Sequence, residues 1–328
     1  MKTYLGFAAL TACTLLVAIP LAAEQPIYGK RPPLPPAATP GPPSTPTPSS
    51  AEVLAAATPS DWRPIDPAHT LTLELAAGRV VIELDPAFAP EHAANIEKLA
   101  REKYFDGLAV VRSQDNYVVQ WGDPDGDDPK KAKPLGAARA TVPGELSVPI
   151  APGIPWTSLP GPDGYAAEVG FSNGFPAGRD PQSRQTWLAH CYGMVGVGRG
   201  DTPESGNGSE LYVVIGNAPR HLDRNVAVVG RVLSGMELLS TLPRGMGPLG
   251  FYEKPSQYVP IRSMRLAADL PAAERPSLEV LRTDTPTFSA WVESRRNRRE
   301  SWFVRPTGYV ELCNVPIPVR PAAGHATK

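Results

Sequence analysis

The sequence predicts a mainly β protein whose short antiparallel strands close into a barrel. Three observations carry this. Several short runs alternate apolar and polar residues, the pattern of strands with one buried face. Gly and Pro number 29 and 40 among 328 residues, and only 20% of residues are charged, which suits many turns rather than a helix bundle. Two helical segments stand near the start and the end of the β region, where they would cap a barrel.

The elements follow in order. Residues 70–75 alternate, with Leu71, Leu73 and Leu75 on one face, and residues 79–84 do so again with Val80, Ile82 and Leu84. Ala76-Ala77-Gly78 joins them, so the pair is a hairpin. Pro90 opens a helix to about residue 103, with Ile96 and Leu99 on its buried stripe. Strands are expected near 108–113, 117–121, 194–197, 211–215 and 226–232. Residues 234–242 read as a short helix stopped by Pro243, and residues 259–266 as a last strand. The predicted interior includes Val195, Val213, Ile215, Val228 and Val232.

Residues 1–23 have a basic start, an apolar run and small residues before Glu24, which reads as an export signal cut after Ala23. The alternative is an uncleaved anchor, because the run has roughly the length that spans a bilayer. Ten prolines lie between residues 24 and 50. Residues 24–60 are therefore expected to form a disordered, polyproline-like tether. Residues 61–267 form the folded domain, with a loop insertion at 127–185 and a C-terminal extension at 268–328. A net charge of −1 gives no global field favouring nucleic acid or an acidic membrane. The chain is expected to be exported, periplasmic or secreted, and monomeric, with no stable membrane insertion after cleavage.

Cys13 leaves with the signal. Cys191 and Cys313 are either bridged or two buried thiols, and two cysteines cannot decide. Histidines 69, 92, 190, 221 and 325 show no ligand spacing and no CxxC occurs, so a structural or catalytic zinc site is not expected. The basic run 295–299 reads as a solvated helix face. Gly170-Phe171-Ser172-Asn173-Gly174 matches a serine-hydrolase signature, but without the strand and helix that the signature requires.

The stretch 104–126, YFDGLAVVRSQDNYVVQWGDPDG, holds the candidate chemistry. Arg112 ends one apolar strand. Tyr117, Val118 and Gln120 follow on the next, and Gly122-Asp123-Pro124 closes the pair. An apolar cup with one fixed cation and one amide suits a proline ring and the loosening of its peptide bond.

The chain resembles the cyclophilin family of peptidyl-prolyl isomerases, as a divergent, exported, bacterial-like member, over about residues 70–266. The resemblance rests on GRVVIELDPAFAPEHAANIEKL, YFDG, VVQWGDPDG, Tyr192-Gly193-Met194, GNGSELYVVIG, HLDRNVAVVGRV and SGMELL, in that order. It implies a closed eight-stranded antiparallel barrel capped by two helices. It also implies a proline pocket on the outer face, proline-containing polypeptides as partners, and no cofactor. Carried over by position, the catalytic arginine is Arg112 and the pocket glutamine Gln120. The substrate-binding positions are Tyr117, Val118, Gly198, Arg199, Glu210, Tyr212, His221 and Leu222. Glu210, His221, Val226 and Arg199 depart from the family's residues. The implied activity is proline isomerisation that assists folding of exported proteins. The alternative is a catalytically weak or inactive proline-peptide-binding or chaperone module of the same fold.

Turning an X-Pro bond makes and breaks no covalent bond, so no nucleophile is needed. A guanidinium aimed at the prolyl nitrogen favours the twisted amide, worth a few kcal/mol (about 3) in a partly dry site.

Overall fold

A computed structural model describes residues 47–126 and 128–322. The expected signal, Cys13, and the tether up to residue 46 lie outside the described residues. Within 47–60, assigned to the tether, helix α1 (Ser50–Ala56) forms instead. Ser49 and Glu52 close a reciprocal cap around its first turn, and Val53 is buried against the later helix described below. The Ser-x-x-Glu spacing was the sequence signal for it.

After strand β1 (Trp62–Pro64), β2 (Thr70–Leu75) and β3 (Gly78–Leu84) form the expected hairpin. Helix α2 (Pro90–Arg101) buries Ile96 and Leu99. Strands β4 (Ala109–Ser113) and β5 (Val118–Gly122) come next.

Residues 127–185, expected as a loop, form with the three residues that follow a five-stranded antiparallel sheet. Its strands are β6 (Val148–Pro149), β7 (Thr157–Ser158), β8 (Glu168–Ser172), β9 (Phe175–Asp180) and β10 (Gln185–Leu188), in the order β6-β10-β9-β8-β7. Two strands have only two residues, and β9 carries Pro176 and Gly178, so no alternation marks them. Gly178 lies under the Trp187 ring, where a β-carbon would sit 2.9 Å from it. The hydrolase-like signature spans the β8–β9 hairpin. Ser172 pairs with Phe175, and Asn173 and Gly174 between them have φ of +45° and +89°, which a tight type I′ turn requires. Ser172 is 1% exposed, so it is a hairpin residue rather than a nucleophile.

Strands β11 (Met194–Val197), β12 (Leu211–Val214) and β13 (Val228–Ser234), helix α3 (Met236–Ser240) and β14 (Val259–Leu266) complete the barrel. It closes in the order β11-β12-β5-β4-β14-β2-β3-β13, with every pair antiparallel. Leu71, Leu73, Val80, Ile82, Val195, Val213, Ile215 and Val232 fill its interior, and α2 and α3 close it with Ile96, Leu99 and Leu239. Val228 is buried too, but outside the barrel, in the apolar layer shared with the inserted sheet.

The C-terminal extension adds β15 (Leu278–Leu281), helix α4 (Pro286–Arg296) and β16 (Val319–Pro321). β15 sits between β1 and β16 in a three-stranded sheet. Ile65 and Val280 from that region cover Val81 and Leu233 on the outside of β3 and β13, so β3 is buried on both faces. Phe288 and Trp291 of α4 pack with Phe171, Phe175 and Leu188 of this five-stranded sheet. Cys191 and Cys313 are bridged, which ties this extension to the start of β11.

Candidate active site

β4, β5 and β12 are neighbours, and their register sets Arg112 opposite Gln120 and Gln120 opposite Tyr212. On β5 and β12 the interior takes Val119, Trp121, Leu211 and Val213, so Val118, Gln120 and Tyr212 face outward by alternation. Strict alternation from buried Val110 would turn Arg112 inward. A register shift between Val110 and Arg112 returns it to the outer face, the usual effect of a bulge. The row borders a cleft of about 850 Å³.

Arg112 is fixed by three neutral acceptors. Nε donates to the Leu249 carbonyl at 2.7 Å, Nη1 to Gln120 Oε1 at 3.0 Å, and Nη2 to Gln114 Oε1. Its guanidinium carbon lies 5.3 Å from the Phe251 ring centre and 5.7 Å from that of Tyr117. Burial draws this guanidinium below its ordinary value, and it still remains a cation at neutral pH.

Gln120 also donates through Nε2 to Glu210 Oε2 at 2.7 Å. That bond orients the amide, so its oxygen is presented to Arg112. Gly198 donates its backbone N–H to the Glu210 carbonyl at 2.9 Å. A β-carbon on Gly198 would meet the Glu210 side chain at 3.0 Å, so a larger residue would press on the acid. Tyr212, Val118 and Val214 form a small apolar cluster with Tyr117 and Val226 beside it.

Nine of the ten residues singled out from the sequence border the cleft: Arg112, Tyr117, Val118, Gln120, Gly198, Arg199, Glu210, Tyr212 and Leu222. His221 does not, and instead stacks on Tyr117 with ring centres 6.3 Å apart. Arg199 is exposed at the rim and ties down its own loop, donating to the carbonyls of Asn225, Gly200 and Asp201.

Sequence reasoning missed two groups. The segment 243–258 brings Leu249 and Phe251 to Arg112, and no spacing announces it. The other is buried behind Tyr212. His190 Nε2 lies 2.8 Å from the Tyr212 hydroxyl, and His190 Nδ1 lies 2.9 Å from Asp223 Oδ1. In the sequence, His190 stands out only as one of five histidines without ligand spacing. Its carboxylate partner, 33 residues on, sits in the His-Leu-Asp motif already quoted.

A closed antiparallel barrel with an outward row of arginine, glutamine and aromatic residues beside a cleft is the architecture of a proline isomerase. Residues 70–266 match the family model described as cyclophilin type peptidyl-prolyl cis-trans isomerase/CLD. A Brucella suis protein named probable peptidyl-prolyl cis-trans isomerase is 31% identical over 180 residues, covering 55% of this chain and 74% of its own. A Synechocystis protein, whose name combines that activity with the thylakoid lumen, is 25% identical over 183 residues, covering 54% of this chain and 44% of its own. The crystal structure of cyclophilin AquaCyp293 from Hirschia baltica superposes with a TM-score of 0.62 at 28% identity, covering 83% of this chain and 97% of the other. That coverage exceeds residues 70–266, so the likeness continues into the added elements. The chain belongs to the cyclophilin-type peptidyl-prolyl cis-trans isomerase family and is an isomerase of that class.

Proposed function

We propose that the chain isomerises X-Pro bonds in exported polypeptides and so assists their folding, with Arg112 as the catalytic cation and Gln120 as its partner. One observation carries this reading: the three acceptors on Arg112 are neutral, so its charge stays available at the cleft. An amide's resonance opposes rotation with a barrier of about 18–20 kcal/mol. As the bond twists, the prolyl nitrogen regains its lone pair and becomes an acceptor. The guanidinium has five N–H groups, and those not already engaged can meet that lone pair. Tyr117, Val118, Tyr212 and Leu222 supply the apolar bed for the ring, while Gly198, Arg199 and Glu210 stand along the flanking chain.

Export is supported by the apolar segment 1–23 and by the disulfide, which persists in oxidising compartments. No helix among the described residues is long and apolar enough to cross a membrane.

The test is isomerisation of a short proline peptide by the wild type, Arg112→Ala and Arg112→Lys. The rate should fall at least about tenfold in both variants, because a flexible ammonium lacks the planar donor fork. Full rate in either would place the activity elsewhere. A second reading, a binding module that turns proline slowly, is favoured by the Glu210 carboxylate on Gln120. Peptide binding without catalysis by the wild type would establish it.

A further inference from the structure

Tyr212 is held at its far end by a chain of buried polar groups that crosses into the inserted segment. His190 is fully buried. Its backbone N–H and its Nδ1 both lie 2.9 Å from Asp223 Oδ1, so Nδ1–H donates to the carboxylate and the Nε2 lone pair faces Tyr212. Burial pushes the Tyr212 phenol above its ordinary value, so the hydroxyl keeps its proton and donates. Asp223 Oδ2 accepts from Arg220 Nε at 2.5 Å. Burial works to raise the Asp223 carboxyl, but His190 and Arg220 outweigh it and hold it below its ordinary value. The other end of the Arg220 guanidinium grips both oxygens of Asp163, at 3.1 and 3.2 Å. Asp163 belongs to the insertion, and its side chain is 4% exposed.

The disulfide converges on the same point. Cys191, bridged to Cys313, is the residue after His190. Both additions to the barrel therefore meet behind one aromatic ring of the cleft.

We propose that His190, backed by Asp223, Arg220 and Asp163, is the positioning residue of the proline pocket, so that the inserted segment fixes the pocket floor through the Tyr212 hydroxyl. This rests on the Arg112 cleft being the isomerase site. The floor touches the proline ring in the planar and twisted states alike. Disturbing it weakens both equally, which raises KM and spares kcat.

The experiment measures kcat and KM for a proline peptide in the intact chain with Tyr212→Phe, Asp163→Asn, the double variant and Arg112→Ala. Each of the first two should raise KM at least about threefold with kcat within about twofold, whereas a loss of folded protein lowers apparent kcat and leaves KM alone. The double variant should match Tyr212→Phe, because both changes cut one chain. An unchanged KM in either single variant, or an additive rise in the double, overturns the proposal. Full activity of Arg112→Ala instead overturns the underlying assignment of the cleft.

Discussion

Gly196 lies directly beneath the ring of Tyr212. The two are register partners on β11 and β12, and a β-carbon on Gly196 would sit 2.3 Å from both the phenolic Cζ and the hydroxyl oxygen. Neither the ring nor the strand can absorb such an overlap without moving. Gly196→Ala is therefore expected to destabilise the fold by about 1–3 kcal/mol and to weaken proline-peptide binding. Thermal melting and peptide titration check the two effects.

Glu210, a departure from the family pattern, is hydrogen-bonded to Gln120, the proposed partner of Arg112. Its carboxylate accepts from Gln120 and so adds negative charge one residue away from the Arg112 guanidinium. A glutamine would keep the acceptor and remove the charge. Glu210→Gln combined with Val118→Met, which enlarges the apolar bed, should raise kcat/KM severalfold, a gain of about 1 kcal/mol. An unchanged or lower value in the peptide assay counts against this account of the pocket.

Much of the fold was legible because its strands have one covered face. Leu71, Leu73, Val80 and Ile82 announce their hairpin by period-two alternation alone. The inserted sheet was not, because two of its strands have only two residues and β9 carries Pro176 and Gly178, the latter making room for Trp187. In the site, Arg112, Gln120 and Tyr212 were found from their motifs. The bulge that turns Arg112 outward and the pairing of His190 with Asp223 depend on tertiary register, which sequence spacing does not encode.

Asp85 is expected to give the fold a pH dependence. Burial raises its carboxyl to about 7, and Oδ2 has no hydrogen-bond partner among the described residues. A carboxyl raised on folding contributes stability below its unfolded value near 4 and loses it as pH rises through 7. Asp85→Asn keeps the shape without the charge. It should match the wild type near pH 4 and exceed it at pH 8, by at most about 4 kcal/mol. Chemical denaturation at the two pH values checks both the sign and the window.

The bridge between Cys191 and Cys313 closes 122 residues. Chain-entropy reasoning assigns such a closure about 3–5 kcal/mol. Cys313→Ser should lower the denaturation midpoint accordingly. Adding a reductant should move the wild type to the same value and leave the variant where it is.

The sheet β1-β15-β16 has a consequence for where this protein can be cut. Two of its strands come from after the family-matched range and one from before it. Together they supply the cover over Val81 and Leu233. The family-matched range 70–266 is therefore not a detachable unit. Excised at its own borders, it would present a sticky apolar flank. The family-matched range and the set of elements that covers this apolar flank have different edges.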